Sequence, residues 1–426
     1  MQASTVSKIL KLQAYLLILL LVISCGAANK TTSPTGKLPE DGSTALDTPV
    51  IDSTKIIVDI EEKPDSLDRI YPNNRRDTYH ISYALPLFLS EYPNVQRTNK
   101  YFSQISMDYW WGAKLAYDTL EAIGLQAQVN VYDTRNDSAQ IVKIGERISE
   151  RGTHLLVGPV FPDAVKQLVP VCDAQGINII SPLARAEECD EYSNRVIFSK
   201  PSIAISNEFT AEYIHKKYDS TYPVFIFCRN VSYEKSEALY YEAALSKHFE
   251  SVTLEVIKSN YVNKGQLSGD FPDSSLVIIT SEKETYVTSV LAETRRSLKN
   301  FVVFGHEKWL EFQAIDFDAW ERLNMHFVSS LQVDYCDELT QEFVKRYRKV
   351  YHDEPSKFAI AGYSDALYFG LHLNLFGTNF QRYFGEVDLK LPSGNLNFAQ
   401  TQDCEAFFNH QVQILKLKDH ELVVAP

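Results

Sequence analysis

Residues 79–88, YHISYALPLF, form an apolar, β-branched and aromatic run closed by Pro86, which suits a strand buried on both faces better than a surface strand. A helix follows over 106–123, where Tyr109, Ala113, Ala116, Leu120 and Ile123 recur at spacings of four and three, and Gly124 stands where a left-handed C-terminal cap is wanted. The next strand, 126–132, alternates Ala127, Val129 and Val131 with polar neighbours. Asp137 precedes Gln140 by three residues, an N-cap with a capping-box partner, and opens a helix that buries Ile141, Ile144 and Ile148. Strands at 155–157 and 177–180 come next, separated by a helix over 164–174 that Gly176 ends. Strands alternating with helices of this length imply right-handed crossovers and a parallel sheet covered on both faces.

After an acidic loop at 185–194, a strand at 196–198 and Lys200-Pro201, the alternation begins again. PVFIFC at 223–228 is a strand, 233–248 a helix, 252–257 a strand, LVIIT at 276–280 a strand, 282–298 a helix, and FVVF at 301–304 a strand ending in Gly305. Two copies of one supersecondary pattern without residue identity mean two similar lobes. The expected fold class is therefore α/β, two doubly wound Rossmann-like lobes with a ligand cleft between them. Residues 78–200 are assigned to the first lobe and 201–326 to the second. Residues 327–376, with a strand at 327–333 and helices at 338–351 and 358–376, return to the first lobe. Residues 377–426 supply short strands, notably 412–417 and 422–424, mainly to the second.

A chain of 426 residues exceeds one hydrophobic core and suits two lobes plus a tail. Its net charge of −13 argues against a nucleic-acid partner, and the basic clusters Arg295-Arg296 and 345–349 read as solvated helix faces. There is no G-x-G-x-x-G after a strand, no Walker loop, no G-x-S-x-G and no H-E-x-x-H, and none of the ten histidines stands at i, i+4 spacing on a predicted helix. The expectation is a protein without enzymatic activity, cofactor or metal.

The first 25 residues read as a targeting segment: Lys8 and Lys11, then an apolar run over 14–23 too short to span a bilayer. Val22-Ile23-Ser24-Cys25 resembles the bacterial lipoprotein signal, which implies removal of 1–24, lipidation of Cys25 and stable membrane anchoring. Residues 25–77, broken by Pro34, Pro39, Pro49, Pro64 and Pro72, read as a tether with a reach on the order of 40 Å. Within it, 55–60 (KIIVDI) is either an added edge strand or disordered. The expected location is the cell envelope, with the body in the periplasm or exterior. Of the other cysteines, Cys172 and Cys189 are either an oxidised pair or, with Cys228, Cys336 and Cys404, free thiols.

Open parallel sheets bind ligands beyond the carboxyl ends of their strands. In the first lobe that places the loop after Phe88, the turn 158–162 and the turn 181–184 at the cleft. In the second it places Arg229, Asn230 and Tyr233, then Ser281, then His306, Glu307 and Trp309. Glu307 either receives a ligand ammonium or is a solvated loop carboxylate. Trp110 and Trp111 are adjacent and cannot share a helix face, so one belongs to the core and the other is free to line the cleft.

These positions carry a resemblance. Leu85-Pro86-Leu87, Trp111-Gly112-Ala113 with Leu115-Ala116, Val131-Tyr132-Asp133-Thr134, Leu156-Val157-Gly158-Pro159, GINIIS at 176–181, Phe343-x-x-x-Tyr347, Pro355 and Ala361-Gly362-Tyr363 occur in this order across nearly all of 79–424. Together they resemble the type 1 periplasmic binding proteins of the branched-chain amino-acid group. The resemblance implies two lobes joined by three crossovers, with a small solute, often an amino acid, trapped between them. It also implies a solute carboxylate held by backbone N–H and hydroxyl groups of two first-lobe turns, at Phe161, Pro162, Ser181, Leu183 and Ala184 in this sequence. The family's hydroxyl pair after Gly-Pro is replaced here by Phe161-Pro162, and Leu183-Ala184 stands where a small residue and threonine are common. Each lost donor removes a charge-assisted hydrogen bond worth about 1.5–3 kcal/mol, and Arg185 is the substitute anion partner. The family's Gly-Tyr-Asp-Ala becomes Gly362-Tyr363-Ser364-Asp365-Ala366.

The expected function is that of a membrane-anchored extracytoplasmic protein that closes on a small-molecule ligand by hinge motion, with the membrane subunits of an ABC transporter as the expected partner. A rival keeps the fold but discards the solute: a lipoprotein that binds and regulates an envelope protein such as a cell-wall synthase. The long tether and lost hydroxyls favour the rival, and aromatic turns at the cleft favour the solute binder. An open, polar cleft floor beside an apolar outer patch would mark the rival.

Overall fold

A computed structural model describes residues 74–186, 191–263, 272, 274–297, 301–315, 323–331, 333–419 and 421–426. The signal segment with Cys25, the tether up to residue 73, the strand expected at 55–60 and Cys189 lie outside the described residues. The described residues all belong to one unit, Pro49–Pro426.

The first half runs β1 (Tyr79–Leu85), α1 (Arg97–Ala122), β2 (Ala127–Asp133), α2 (Ser138–Glu150), β3 (Leu155–Val157), α3 (Pro162–Gln175), β4 (Asn178–Ser181) and β5 (Val196–Phe198). The second copy runs α4 (Ile203–Lys217), β6 (Val224–Arg229), α5 (Ser232–Leu245), β7 (Val252–Ile257), β8 (Ser275–Ile279), α6 (Glu284–Ser297), β9 (Phe301–His306) and β10 (Met325–Ser329). Helices α7 (Glu338–Tyr351) and α8 (Lys357–Phe376) follow, then strands β11 (Phe398–Thr401), β12 (Cys404–Asn409), β13 (Gln413–Lys418) and β14 (Glu421–Val424). Local signals account for much of this: Asp137 accepts from Gln140 N, and α2 buries Ile141, Ile144 and Ile148. Helix α1 begins nine residues before the predicted start at 106, on a turn whose exposed polar residues mask the period.

The strands form two seven-stranded sheets, ordered β11-β12-β5-β4-β3-β1-β2 and β14-β13-β10-β9-β8-β6-β7. In each the five strands of the repeated pattern are parallel, with the first strand inside the second. Strand alternation feeds both faces of the first sheet. Tyr79, Ile81, Tyr83 and Leu85 point toward α1, α7 and α8, while Ala84, Leu156 and Ile179 point toward α2 and α3. The second sheet repeats this, with Phe227, Val277 and Ile279 facing α6, and Val224, Ile226 and Ile278 facing α4 and α5.

Two assignments differ from the sequence reading. The strand expected at 327–333 as part of the return to the first lobe is β10, which pairs parallel with β9 in the second sheet, so only α7 and α8 return. The C-terminal strands, expected mainly in the second lobe, divide equally: β12 pairs parallel with β5, and β13 pairs antiparallel with β10. Packing sets this division, because Phe408 of β12 stacks on Phe198 of β5 with ring centroids 5.1 Å apart. Cys172 is a buried free thiol rather than half of a disulfide, and burial pushes it up to about 12.

The chain crosses between the lobes near 199–202, 330–337 and 410–412. Asn409 ties two of these crossovers together. Its Nδ2 donates to Ser199 O at 3.2 Å, and its Oδ1 accepts from Asn397 N at 3.1 Å and Gln411 N at 3.0 Å. The side chain is buried, so Asn409→Ala orphans three backbone groups and is expected to cost about 2 kcal/mol in urea unfolding.

Candidate functional site

Close approaches set the walls of the site. Gly158 ends β3 at φ +93, and a Cβ there would sit 2.0 Å from the Ala84 carbonyl oxygen, so glycine alone allows the turn that leads to Val160 and Phe161. Helices α1 and α8 cross in backbone contact. A Cβ on Gly112 would lie 1.8 Å from Ala359 O, and one on Gly362 would lie 2.0 Å from Tyr109 O. Lys357 and Phe358, at the start of α8, line the same cavity as Tyr101 and Phe102 of α1.

Between the lobes lies a cavity of about 350 Å³. Its first-lobe wall includes Phe102, Phe161, Pro162, Leu183 and Arg185, and its second-lobe wall includes Glu282, His306, Glu307 and Lys308. Phe161 packs edge to face on Phe102, with centroids 5.0 Å apart. Lys200, on the first crossover, and Leu331, on the second, complete the floor.

Of the residues expected at the ligand, Phe161, Pro162, Leu183, Arg185, His306 and Glu307 come together here. Ser181 is buried behind the wall, where its Oγ donates to Pro159 O at 2.8 Å and joins the two first-lobe turns. Arg229, Tyr233 and Ser281 form a separate cluster. Arg229 Nε donates to Glu234 Oε1 at 2.9 Å and to Ser281 Oγ at 3.1 Å, and Arg229 NH2 donates to Tyr233 Oη at 3.3 Å. The side chain of Glu234 is fully buried, so these groups neutralise a carboxylate rather than line the cavity.

The loop after Phe88 is also spent internally, since the backbone N–H groups of Leu87, Phe88 and Leu89 all donate to the Asp133 carboxylate. Neither tryptophan reaches the cavity: Trp110 packs on Tyr83 and Trp111 stacks on Tyr351. Trp309 is fully buried and donates to Ser281 O.

The cavity residues that sequence reasoning missed include five charged side chains, Lys200, Glu282, Lys308, Glu311 and Lys357. Lys308 lies 3.0 Å from Glu282, and Lys357 reaches across from α8 to Glu311 at 3.0 Å and Glu307 at 3.7 Å. Ser329 Oγ donates to Glu307. His306 Nε2 lies 3.2 Å from Glu237. Burial works against the imidazolium of His306, but the Glu237 carboxylate outweighs it, and the pKa is raised. Burial holds the Lys200 ammonium below its ordinary value, partly opposed by Glu307 and reinforced by Arg185. Lysine at a crossover and at a helix start carries no spacing signal, which is why Lys200 and Lys357 were not singled out. Among the described residues no His/Cys/Asp/Glu cluster could hold a metal ion, and no helix is long and apolar enough to cross a membrane.

Two doubly wound lobes with three crossovers and a cavity at facing strand ends decide the architecture. The chain has the type 1 periplasmic binding fold. No protein-family model and no curated protein matches the sequence. Solved structures do match. An ABC transporter substrate-binding protein from Desulfitobacterium hafniense in complex with Leu is 17% identical at TM-score 0.56, over 82% of this chain and 100% of that chain. An ABC-type branched-chain amino acid transporter protein from Rhodopseudomonas palustris CGA009 is 12% identical at TM-score 0.60, over 82% and 95%. A solute-binding protein of an ABC transporter from Rhodopseudomonas palustris BisB5, in complex with 3,4-dihydroxybenzoic acid, is 12% identical at TM-score 0.55, over 82% and 97%. At these identities the likeness is one of the periplasmic binding fold.

Proposed function

We propose that this protein is an extracytoplasmic solute-binding protein that traps a small molecule between its lobes by hinge closure, for uptake or sensing. The observation that carries this reading is the cavity of about 350 Å³ walled by strand-end turns of both lobes and floored by two crossovers. A solute there touches both lobes at once, and only such bridging contacts favour a closed state. Phe102, Phe161 and Phe358 give the apolar body of a solute a surface to pack against inside that cavity. The body is tethered to a membrane through lipidated Cys25, and the corresponding partner is the membrane subunits of an ABC transporter, as the names of the structural neighbours suggest.

The test is unfolding of the purified chain against amino acids, carboxylic acids, nucleosides, sugars and small peptides. A true ligand at a hundred times its Kd adds about 2.7 kcal/mol of stability and, by closing the lobes, lowers the radius of gyration in small-angle scattering. A panel that produces neither a saturable shift nor compaction argues against solute binding.

A further inference from the structure

The charges around the cavity are unevenly matched. Four cationic side chains, Arg185, Lys200, Lys308 and Lys357, line it with three carboxylates, Glu282, Glu307 and Glu311. Every one of those carboxylates is already engaged. Glu282 holds Lys308 and lies 3.9 Å from His306 Nδ1, Glu307 accepts from Ser329 and faces Lys357, and Glu311 holds Lys357. On the cationic side, two groups are left over. Lys200 hydrogen-bonds Ser330 Oγ at 3.5 Å and feels the charges of Glu307 and Asp365 without forming a close ion pair with either, and Arg185 has no hydrogen-bond or ion-pair partner among the described residues. The two are close enough for the charge of Arg185 to act on Lys200. Arg185 also lines a second, smaller pocket with Glu237 and Tyr241.

An α-amino acid brings one anion and one cation. Its carboxylate would find Arg185 and Lys200, but its ammonium would find no free carboxylate and would be desolvated beside an excess of positive charge. The same solute without the ammonium keeps the favourable half and drops the unfavourable one, which is how a site discriminates by leaving a group unpaired. The remaining wall, Phe102, Phe161, Leu183, Leu331 and Phe358, suits an aromatic or branched aliphatic body.

We propose that the cavity selects an organic carboxylate with an apolar body and no ammonium group, its acid held by Arg185 and Lys200. This rests on the solute-binding reading.

The experiment titrates the purified full chain with two matched pairs, 3-phenylpropanoate against phenylalanine and 4-methylpentanoate against leucine, each pair differing by one ammonium group. The acid of each pair is expected to bind at least about tenfold more tightly than its amino acid. Arg185→Gln is expected to weaken the acids by at least about tenfold while leaving the unfolding midpoint of the ligand-free protein in place, because Arg185 has no partner to lose. Lys200→Met is expected to weaken the acids in the same direction. Amino acids that bind as tightly as their acids, or acids that bind Arg185→Gln as they bind the parent, overturn the proposal. The two readings fail differently. Binding of an amino acid, nucleoside or sugar with no binding of either acid overturns the carboxylate proposal and keeps the solute-binding reading, whereas no saturable binding by any compound overturns both.

Discussion

Arg229→Ala is expected to destabilise the protein by about 3–5 kcal/mol in urea unfolding, because it strands a buried carboxylate. Glu234 has a side chain with no exposure, and Arg229 supplies it with a backbone N–H at 3.0 Å, Nε at 2.9 Å and NH2 at 2.5 Å. The substitution leaves the backbone donor, Ser281 Oγ at 2.9 Å and Tyr233 Oη at 3.3 Å, which are too few for a desolvated charge. Adding Glu234→Gln to Arg229→Ala removes the stranded charge and should recover at least about 1 kcal/mol, so the double-mutant cycle shows strong coupling. Ligand affinity of the folded fraction should be retained. A stable Arg229→Ala protein that had lost its ligand would return Arg229 to the binding wall.

Asp365→Asn is expected to remove a pH dependence worth about 3 kcal/mol. Asp365 lies in α8 at 5% exposure, and Tyr109 Oη donates to it at 2.8 Å. Burial raises its pKa from 3.8 to about 6, against the opposing pull of the Tyr109 hydrogen bond and the Lys200 charge. A folded-state value above the unfolded one means the folded protein holds the proton more tightly. The stabilising contribution is therefore complete below about 4 and is lost as pH rises through about 6. Unfolding of the parent and the asparagine variant across pH 4 to 7.5 should show a gap that moves against the parent as pH rises. A gap independent of pH would mean that ionised Asp365 carries no burial penalty. His306 acts with the same sign, since its pKa is also raised, so its contribution is lost as pH rises above the ordinary histidine range.

The alternation of short apolar runs with capped helices was legible because each signal is local. Asp137 and Gln140 are three residues apart, Gly176 follows α3 directly, and strand length and helix period are properties of short windows. From those elements the strand-end rule placed Phe161, Leu183, His306 and Glu307 at the cleft, the family resemblance added Arg185 as an anion partner, and the structure brings all five to one cavity. The same rule misplaced Arg229, Tyr233 and Ser281, which also stand at strand ends, because it locates a residue without saying what neutralises it. Glu234 lies only five residues from Arg229. No local pattern marks it as buried, and its burial is created by packing.

The sequence by itself therefore determined two parallel doubly wound lobes and the turns that face each other. Only the tertiary structure decided which charges at those turns remain free. It also divided β11–β14 between the sheets and brought Lys200 and Lys357 to the cavity. The physical reason is that partners such as Phe198 with Phe408, or Lys357 with Glu311, are distant in sequence, and hydrophobic burial and ion pairing depend on separation in space.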